Sequence, residues 1–321
     1  MRPIYVLTEG GKKMGMGHII RQFALCRLLK IENKVNVYLK TDWTDKEIER
    51  IDLSFKSLFI VKNIDEALEK IPSDVLVLMD AYNLDIAKIN RTKKLKNWQI
   101  IFVADVHKEV PDCEVLINHL PWIKKKCYSK ADISKKLLGP KYAILRKPFY
   151  SIKRFSDKGR VLVCLGGSSV ENQIKNIYKG LIANGISSSK IDILYNKPIN
   201  TVPIKNIHFN LNAKQVYSLI SKANLCLITP GNISYEVFSI NRPVVMGYVS
   251  ESQKTITKKF HEMGLSYNIG DWNKADFTYL TVWIKESIAT KHIQTKIFSH
   301  LNDQNIIKEL FSTDLLNSKM R

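Results

Sequence analysis

The sequence predicts an α/β protein of two Rossmann-like domains facing each other across a cleft. Three observations predict it. Short apolar runs alternate with turns and amphipathic helical stretches through the first half of the chain. The alternation pauses over residues 146–160 and then restarts with a similar element order. Several apolar runs are near-continuous Val, Ile and Leu, the pattern of parallel strands covered on both faces.

In order, Ile4-Tyr5-Val6-Leu7 forms the first strand and leads into a loop holding Gly10, Gly11, Gly15 and Gly17. A helical pattern through Phe23, Ala24, Leu25, Leu28 and Leu29 follows. Further strands are expected at 35–39, 57–61, 75–79, 100–104 and 115–117, with helices at 44–51, 65–71 and 86–95. Arg146-Lys147-Pro148-Phe149-Tyr150 and the polar, basic stretch 151–158 read as a linker. Beyond it come a strand at 161–165, a Gly166-Gly167 turn, a helix at 171–183 and strands at 191–194 and 207–211. A helix at 213–221, a strand at 225–228, a helix at 234–240 and a strand at 244–248 follow. From Thr278 the chain reads as helical nearly to a polar tail at 317–321. The expected division is an N-terminal domain (1–152), a second domain (159–275) and a helical C-terminal extension (276–321).

A chain of 321 residues with 45% hydrophobic content can fill two such cores. No run reaches the ~18 apolar residues of a membrane span, and the N-terminus lacks the layout of a signal peptide. A soluble, cytoplasmic protein is expected. Cys26, Cys113, Cys127, Cys164 and Cys226 are scattered and form no C-x-x-C pair, which argues against a zinc site or a disulfide framework. The net charge of +20 is carried mostly by lysine in both halves, with one run at Lys124-Lys125-Lys126. It fits a solvated lysine surface, attraction of an anionic substrate, or contact with an anionic membrane. No recognisable nucleic-acid-binding motif occurs, so nucleic acid is not an expected partner.

Ligands of open parallel sheets bind beyond the carboxyl ends of the strands. In the first half those ends carry Gly15-Met16-Gly17-His18-Ile19-Ile20-Arg21, Asp80-Ala81-Tyr82-Asn83, Asp105-Val106-His107 and Asn118-His119. The glycines permit tight turns and close approach. A histidine at a helix start suits proton transfer near neutral pH. Asp80 and Asp105 also suit helix N-caps, and Arg21 also suits a pair with a rim carboxylate. In the second half the strand ends carry Gly166-Gly167-Ser168-Ser169, Thr229-Pro230-Gly231-Asn232-Ile233-Ser234 and Ser250-Glu251-Ser252-Gln253, with Glu236 inside a helix. Small residues before helix starts offer a diphosphate N–H donors and a favourable dipole. Glu236 suits ribose hydroxyls, or a solvated helix face; Ser168, Asn232 and Ser234 also suit caps.

Missing motifs narrow the field. There is no Gly-x-x-x-x-Gly-Lys-Ser/Thr loop and no Asp-x-Asp. Ile20 stands where a dinucleotide fingerprint needs its third glycine. No cofactor and no metal are expected.

Taken together, Gly15–Arg21, Asp80-Ala81-Tyr82, Cys113-Glu114-Val115-Leu116-Ile117-Asn118, the stretch from Gly139 to Arg146, Leu165-Gly166-Gly167-Ser168 and Ser234-Tyr235-Glu236 resemble a known family over roughly residues 1–270. It is that of the UDP-2,4-diacetamido-2,4,6-trideoxy-β-L-altropyranose hydrolases of pseudaminic acid biosynthesis, relatives of the glycosyltransferase that makes lipid II. The resemblance implies a GT-B fold, a UDP-sugar and water as substrates, and no metal. It implies that His18 is the general base, with Tyr82, Asp80, Asp105 and Asn118 positioning sugar or water. Gly166, Gly167, Ser234, Glu236 and Gln253 would hold UDP. The chain departs from the family where two acidic residues are replaced by Asp105-Val106, and where an Asn-Gln pair is replaced by Glu251-Ser252-Gln253. Two other readings stand beside it: a GT-B glycosyltransferase of cell-surface polysaccharide assembly, and a non-catalytic nucleotide-sugar-binding protein.

Overall fold

A computed structural model describes residues 2–12, 14–45, 48, 55–82, 84–104, 109–151, 158–166, 170–195, 199, 203–313 and 315–316. Strands β1 (Ile4–Glu9), β2 (Val35–Lys40), β3 (Ser57–Val61), β4 (Leu76–Asp80), β5 (Gln99–Ala104), β6 (Cys113–Asn118) and β7 (Ile133–Leu138) form one sheet. Among the described residues its order is β3-β2-β1-β4-β5-β6-β7, with every neighbouring pair parallel. Helices α1 (Gly17–Leu28), α2 (Ile64–Lys70) and α3 (Ile86–Leu95) lie between strands. Asn63 caps α2 through the Glu66 N–H, and Asp85 caps α3 through the Lys88 N–H.

Alternation along each strand divides the core between two faces. Val6, Val37, Leu78, Ile101 and Val115 pack with Ile19 and Leu25 of α1. Leu7, Val77, Met79, Ile100 and Phe102 pack with Leu68 and Ile89 of the next two helices. Both faces are buried, which is why the strands read as continuous apolar runs.

The second sheet holds β8 (Arg160–Cys164), β9 (Ile191–Leu194), β10 (Ile207–His208), β11 (Ala223–Ile228), β12 (Val244–Tyr248) and β13 (Tyr267–Asp271). Its order is β10-β9-β8-β11-β12-β13, parallel throughout the described residues. Its helices are α4 (Glu171–Ala183), α5 (Ala213–Ser221), α6 (Asn232–Ser239), α7 (Glu251–Glu262) and α8 (Leu280–Phe298). Val161, Val163, Leu227 and Val245 pack with Ile174 and Ile177 of α4 and with Trp272 and Trp283. Aromatic rings tie α6, α7 and α8 together: Phe238 lies 5.2 Å from Phe260 and Tyr235 lies 6.2 Å from Phe298.

The chain divides into two compact units, one of Met1–Gly11, Met16–Lys147 and His300–Arg321, the other of Lys12–Gly15 and Pro148–Ser299. Residues 276–321 therefore divide between the units. α8 belongs to the second, whereas α9 (Asp303–Phe311) places Ile306 and Leu310 in the core of the first. Lys135 pairs with Glu309 and donates to the Ser312 hydroxyl at 2.8 Å. The described residues add two edge strands to those expected, β7 and β13. They shorten the strand expected at 207–211 to Ile207–His208. Of the helix expected at 44–51, the described residues retain the Ile48 N–H bond to the Thr44 carbonyl, and the rest lies outside them. Residues 152–157 of the linker and the tail, 317–321, also lie outside them. No helix among the described residues is long and apolar enough to cross a membrane.

Candidate active site

In the first sheet the connections leave β1 and β4 toward opposite sides, β1 to β2 and β4 to β5. That makes the gap beyond their carboxyl ends the topological switch point, where open α/β sheets bind ligands. The loop after β1 turns at Gly15, whose φ of 79 lies in the left-handed region favouring glycine. Gly17 opens α1, and a Cβ built there meets nothing within 4 Å. Packing does not require a glycine at that position.

His18 and Arg21 stand one turn apart on α1 and reach the same carboxylate at the end of β4. Asp80 Oδ1 lies 2.5 Å from His18 Nδ1. Arg21 grips Asp80 with two bonds, Nε to Oδ2 at 2.8 Å and Nη2 to Oδ1 at 2.6 Å. All three side chains are buried. Burial alone pushes the Asp80 carboxyl up, but the Arg21 guanidinium, and then His18, hold it well below the usual carboxylate range. Asp80 is therefore a fixed anion. Arg21 Nη2, which only donates, also lies 3.2 Å from His18 Nδ1, but its shorter bond is to Asp80 Oδ1 at 2.6 Å. The 2.5 Å contact between Nδ1 and the ionised Asp80 oxygen therefore favours the tautomer with its proton on Nδ1 and its basic lone pair on Nε2. Tyr82 meets the His18 ring edge to face, with centroids 4.4 Å apart.

Asp80 is thus not a helix cap; Asp85 fills that place for α3. Arg21 does pair with a rim carboxylate, and that carboxylate is Asp80. Asn118, at the end of β6, is committed internally: its amide donates to the Tyr128 hydroxyl at 2.5 Å and accepts the Leu120 N–H at 2.9 Å. Asp105 lies outside the described residues. Sequence reasoning missed Glu9, the buried last residue of β1. It accepts the Tyr82 N–H and takes an ion pair from Lys40 at 3.2 Å. A carboxylate closing an apolar strand was the available signal.

The second sheet repeats the arrangement. Its switch point lies between β8 and β11, whose connections run to opposite sides. Gly166 follows β8 with φ 87, and its Cβ position lies 3.9 Å from the Thr229 hydroxyl at the end of β11. Gly231 and Asn232 open α6. The Ser234 hydroxyl accepts the Gly231 N–H at 3.2 Å and donates to the Thr229 carbonyl at 3.4 Å, closing the turn. Glu236 is buried in the same helix. Gln253 Oε1 accepts the Val249 N–H at 3.0 Å and braces the start of α7. Gly167 and Ser168 lie outside the described residues. β8, β11 and β12 are neighbouring strands, and α4, α6 and α7 follow them in the chain. First-turn N–H groups of such helices favour anions at the carboxyl edge of a sheet.

No protein-family model matches the chain. A protein of Methanocaldococcus jannaschii, itself uncharacterised, is 24% identical in an alignment 277 positions long that covers 78% of this chain and 56% of that protein. The chain thus spans little more than half the length of that curated relative. Among solved structures it is similar to the calicheamicin glycosyltransferase CalG4, with 13% identity, TM-score 0.59 and coverage of 97% of this chain and 98% of that one. It is similar to a UDP-glucosyltransferase of Polygonum tinctorium, with 10% identity, TM-score 0.60 and coverage of 97% and 98%. It is also similar to MnaA of S. aureus, solved with UDP, with 13% identity, TM-score 0.56 and coverage of 97% and 96%. The fold is therefore α/β, with two parallel sheets, of the GT-B type.

Proposed function

We propose that this chain is an enzyme that transfers the glycosyl group of a nucleoside-diphosphate sugar to an acceptor hydroxyl, in the assembly of a cell-surface polysaccharide. The observation that carries the proposal is the buried His18–Asp80–Arg21 arrangement at a sheet switch point. Likeness to glycosyltransferases across nearly the whole chain supports the choice of reaction. His18 Nε2 takes the acceptor proton as the acceptor oxygen attacks the anomeric carbon. The bond from that carbon to the diphosphate breaks, and the nucleoside diphosphate leaves with the electron pair. The imidazolium that forms is stabilised by Asp80, which Arg21 keeps ionised. Gly166, Gly167, Ser168, Gly231 and Asn232 supply or shape the N–H donors that ease charge on the leaving phosphate. Glu236 accepts from ribose hydroxyls, Ser234 and Gln253 hold the turns, and Gly15 and Gly17 leave room for substrate beside His18. Tyr82 and Asp105 position the sugar, and Asn118 supports the rim from beneath.

The sequence motifs favour a second reading, in which the acceptor is water and the enzyme hydrolyses a UDP-linked diacetamido-trideoxy sugar of pseudaminic acid biosynthesis. One assay separates the two. UDP- and TDP-sugars are presented with and without polysaccharide or lipid-linked acceptors, and release of nucleoside diphosphate is followed. Release that requires an acceptor is expected; equal release in water alone selects the hydrolase. His18→Ala should lower kcat by about 10²–10⁴, the usual worth of a general base, while nucleotide binding persists. Unchanged turnover in that variant would remove His18 from the chemistry. Binding without release in every mixture would leave a carrier rather than an enzyme.

A further inference from the structure

The second unit has a cavity of about 350 Å³ far from its glycine-bearing strand ends. Lys158, Arg160, Asp192, Asn206, His208 and Lys222 line it, with Leu219 as its apolar wall. Arg160 begins β8, Asp192 is the second residue of β9, and Lys222 directly precedes β11. In a parallel sheet these positions share the amino-terminal edge, the end opposite Gly166 and Gly231.

The lining is unevenly charged. Asp192 is buried and receives Arg160 Nε together with Nη2 at 2.7 Å, and His208 Nε2 lies 2.8 Å from its Oδ1. One carboxylate therefore fixes one guanidinium and one imidazole in place. Asn206 braces the wall by donating to the Ile191 carbonyl at 3.1 Å. Lys190 holds the rim backbone through the Lys158 carbonyl at 2.8 Å. The ammonium groups of Lys158 and Lys222 pair with no carboxylate among the described residues. Asp192, the one acidic lining residue, is already matched by Arg160, so a cation gains little here. With Arg160 and Asp192 offsetting each other, Lys158 and Lys222 leave the lining net positive and rich in donors, which suits an anion.

We propose that this cavity binds a phosphate-bearing anion at a site separate from the proposed diphosphate rim. The group is either a free phosphate compound or the headgroup of an anionic phospholipid, and the test separates them. Calorimetry follows inorganic phosphate and pyrophosphate at constant ionic strength, with and without saturating UDP, for the parent and for Lys158→Gln/Lys222→Gln. Flotation with phosphatidylcholine vesicles, with and without phosphatidic acid, forms the second arm. The expected result is binding that UDP does not displace and that the double substitution weakens about ten-fold or more, the scale of lost charge-assisted bonds. Vesicle capture that needs phosphatidic acid and is lost in the variant assigns the headgroup as the source. The parent–variant difference is read without UDP as well, so failure of the nucleotide-sugar proposal leaves this test intact. No binding in either arm, or equal binding by parent and variant, overturns the inference.

Discussion

Asp80 is an anion held away from water, and this ties the stability of the first unit to pH. Its folded pKa lies below the ordinary carboxylate value of about 3.9. The Arg21 and His18 contacts therefore stabilise fully above that value, and the stabilisation is lost as pH falls toward the folded pKa. Asp80→Asn should lower stability near pH 7 by about 3–5 kcal/mol, the usual cost of leaving a buried guanidinium unpaired. It should also flatten the acid limb, as measured by denaturant unfolding from pH 7 down to pH 3; an unaltered acid limb would contradict the assignment. At this scale Asp80 was readable because it closes an apolar run, and His18 because it follows a glycine loop at a helix start. The Arg21 pairing was one of two readings that the geometry decided. Glu9 was not found, because its partner Tyr82 is 73 residues away and only the β1–β4 pairing brings them together.

Two glycines in different elements set a test of packing against function. A Cβ on Gly247 of β12 would lie 2.8 Å from both the Gly270 carbonyl and Trp272 Nε1, and that indole donates to the Ile228 carbonyl at 3.2 Å. Gly247→Ala should destabilise the second unit by about 1–3 kcal/mol, the cost of overpacking. Gly17→Ala has open space, so Tm should hold while kcat/KM falls if substrate fills that space. Loss of Tm at Gly17, or none at Gly247, would reverse these roles. The strands buried on both faces announced themselves through Val, Ile and Leu runs. β7 (Ile-Ser-Lys-Lys-Leu-Leu) and β13 (Tyr-Asn-Ile-Gly-Asp) did not, because edge strands are only partly covered and carry polar residues.

At the scale of the molecule, repeated strand–helix alternation made two α/β units legible. The path of the last residues was not, because helical periodicity records an apolar face but not the sheet that covers it. α9 completes a core begun 300 residues earlier, with Ile306 and Leu310 fully buried against it. Leu310→Ala should cost about 2–5 kcal/mol, as large-to-small core changes do. Hydrogen exchange should register the loss in β1, β2 and β6, and not in β8 or β11. Faster exchange in the second sheet as well would mean that the units unfold as one.

The same return of the chain orders events during synthesis. Every strand of the first sheet leaves the ribosome before the second unit is made, yet the apolar face that α9 covers has no cover until translation has passed Leu310. The second unit, lying between them, finishes its own sheet and helices first. A nascent chain therefore carries an exposed hydrophobic surface through the making of about half its length, which is the interval in which chaperones are recruited and chains aggregate.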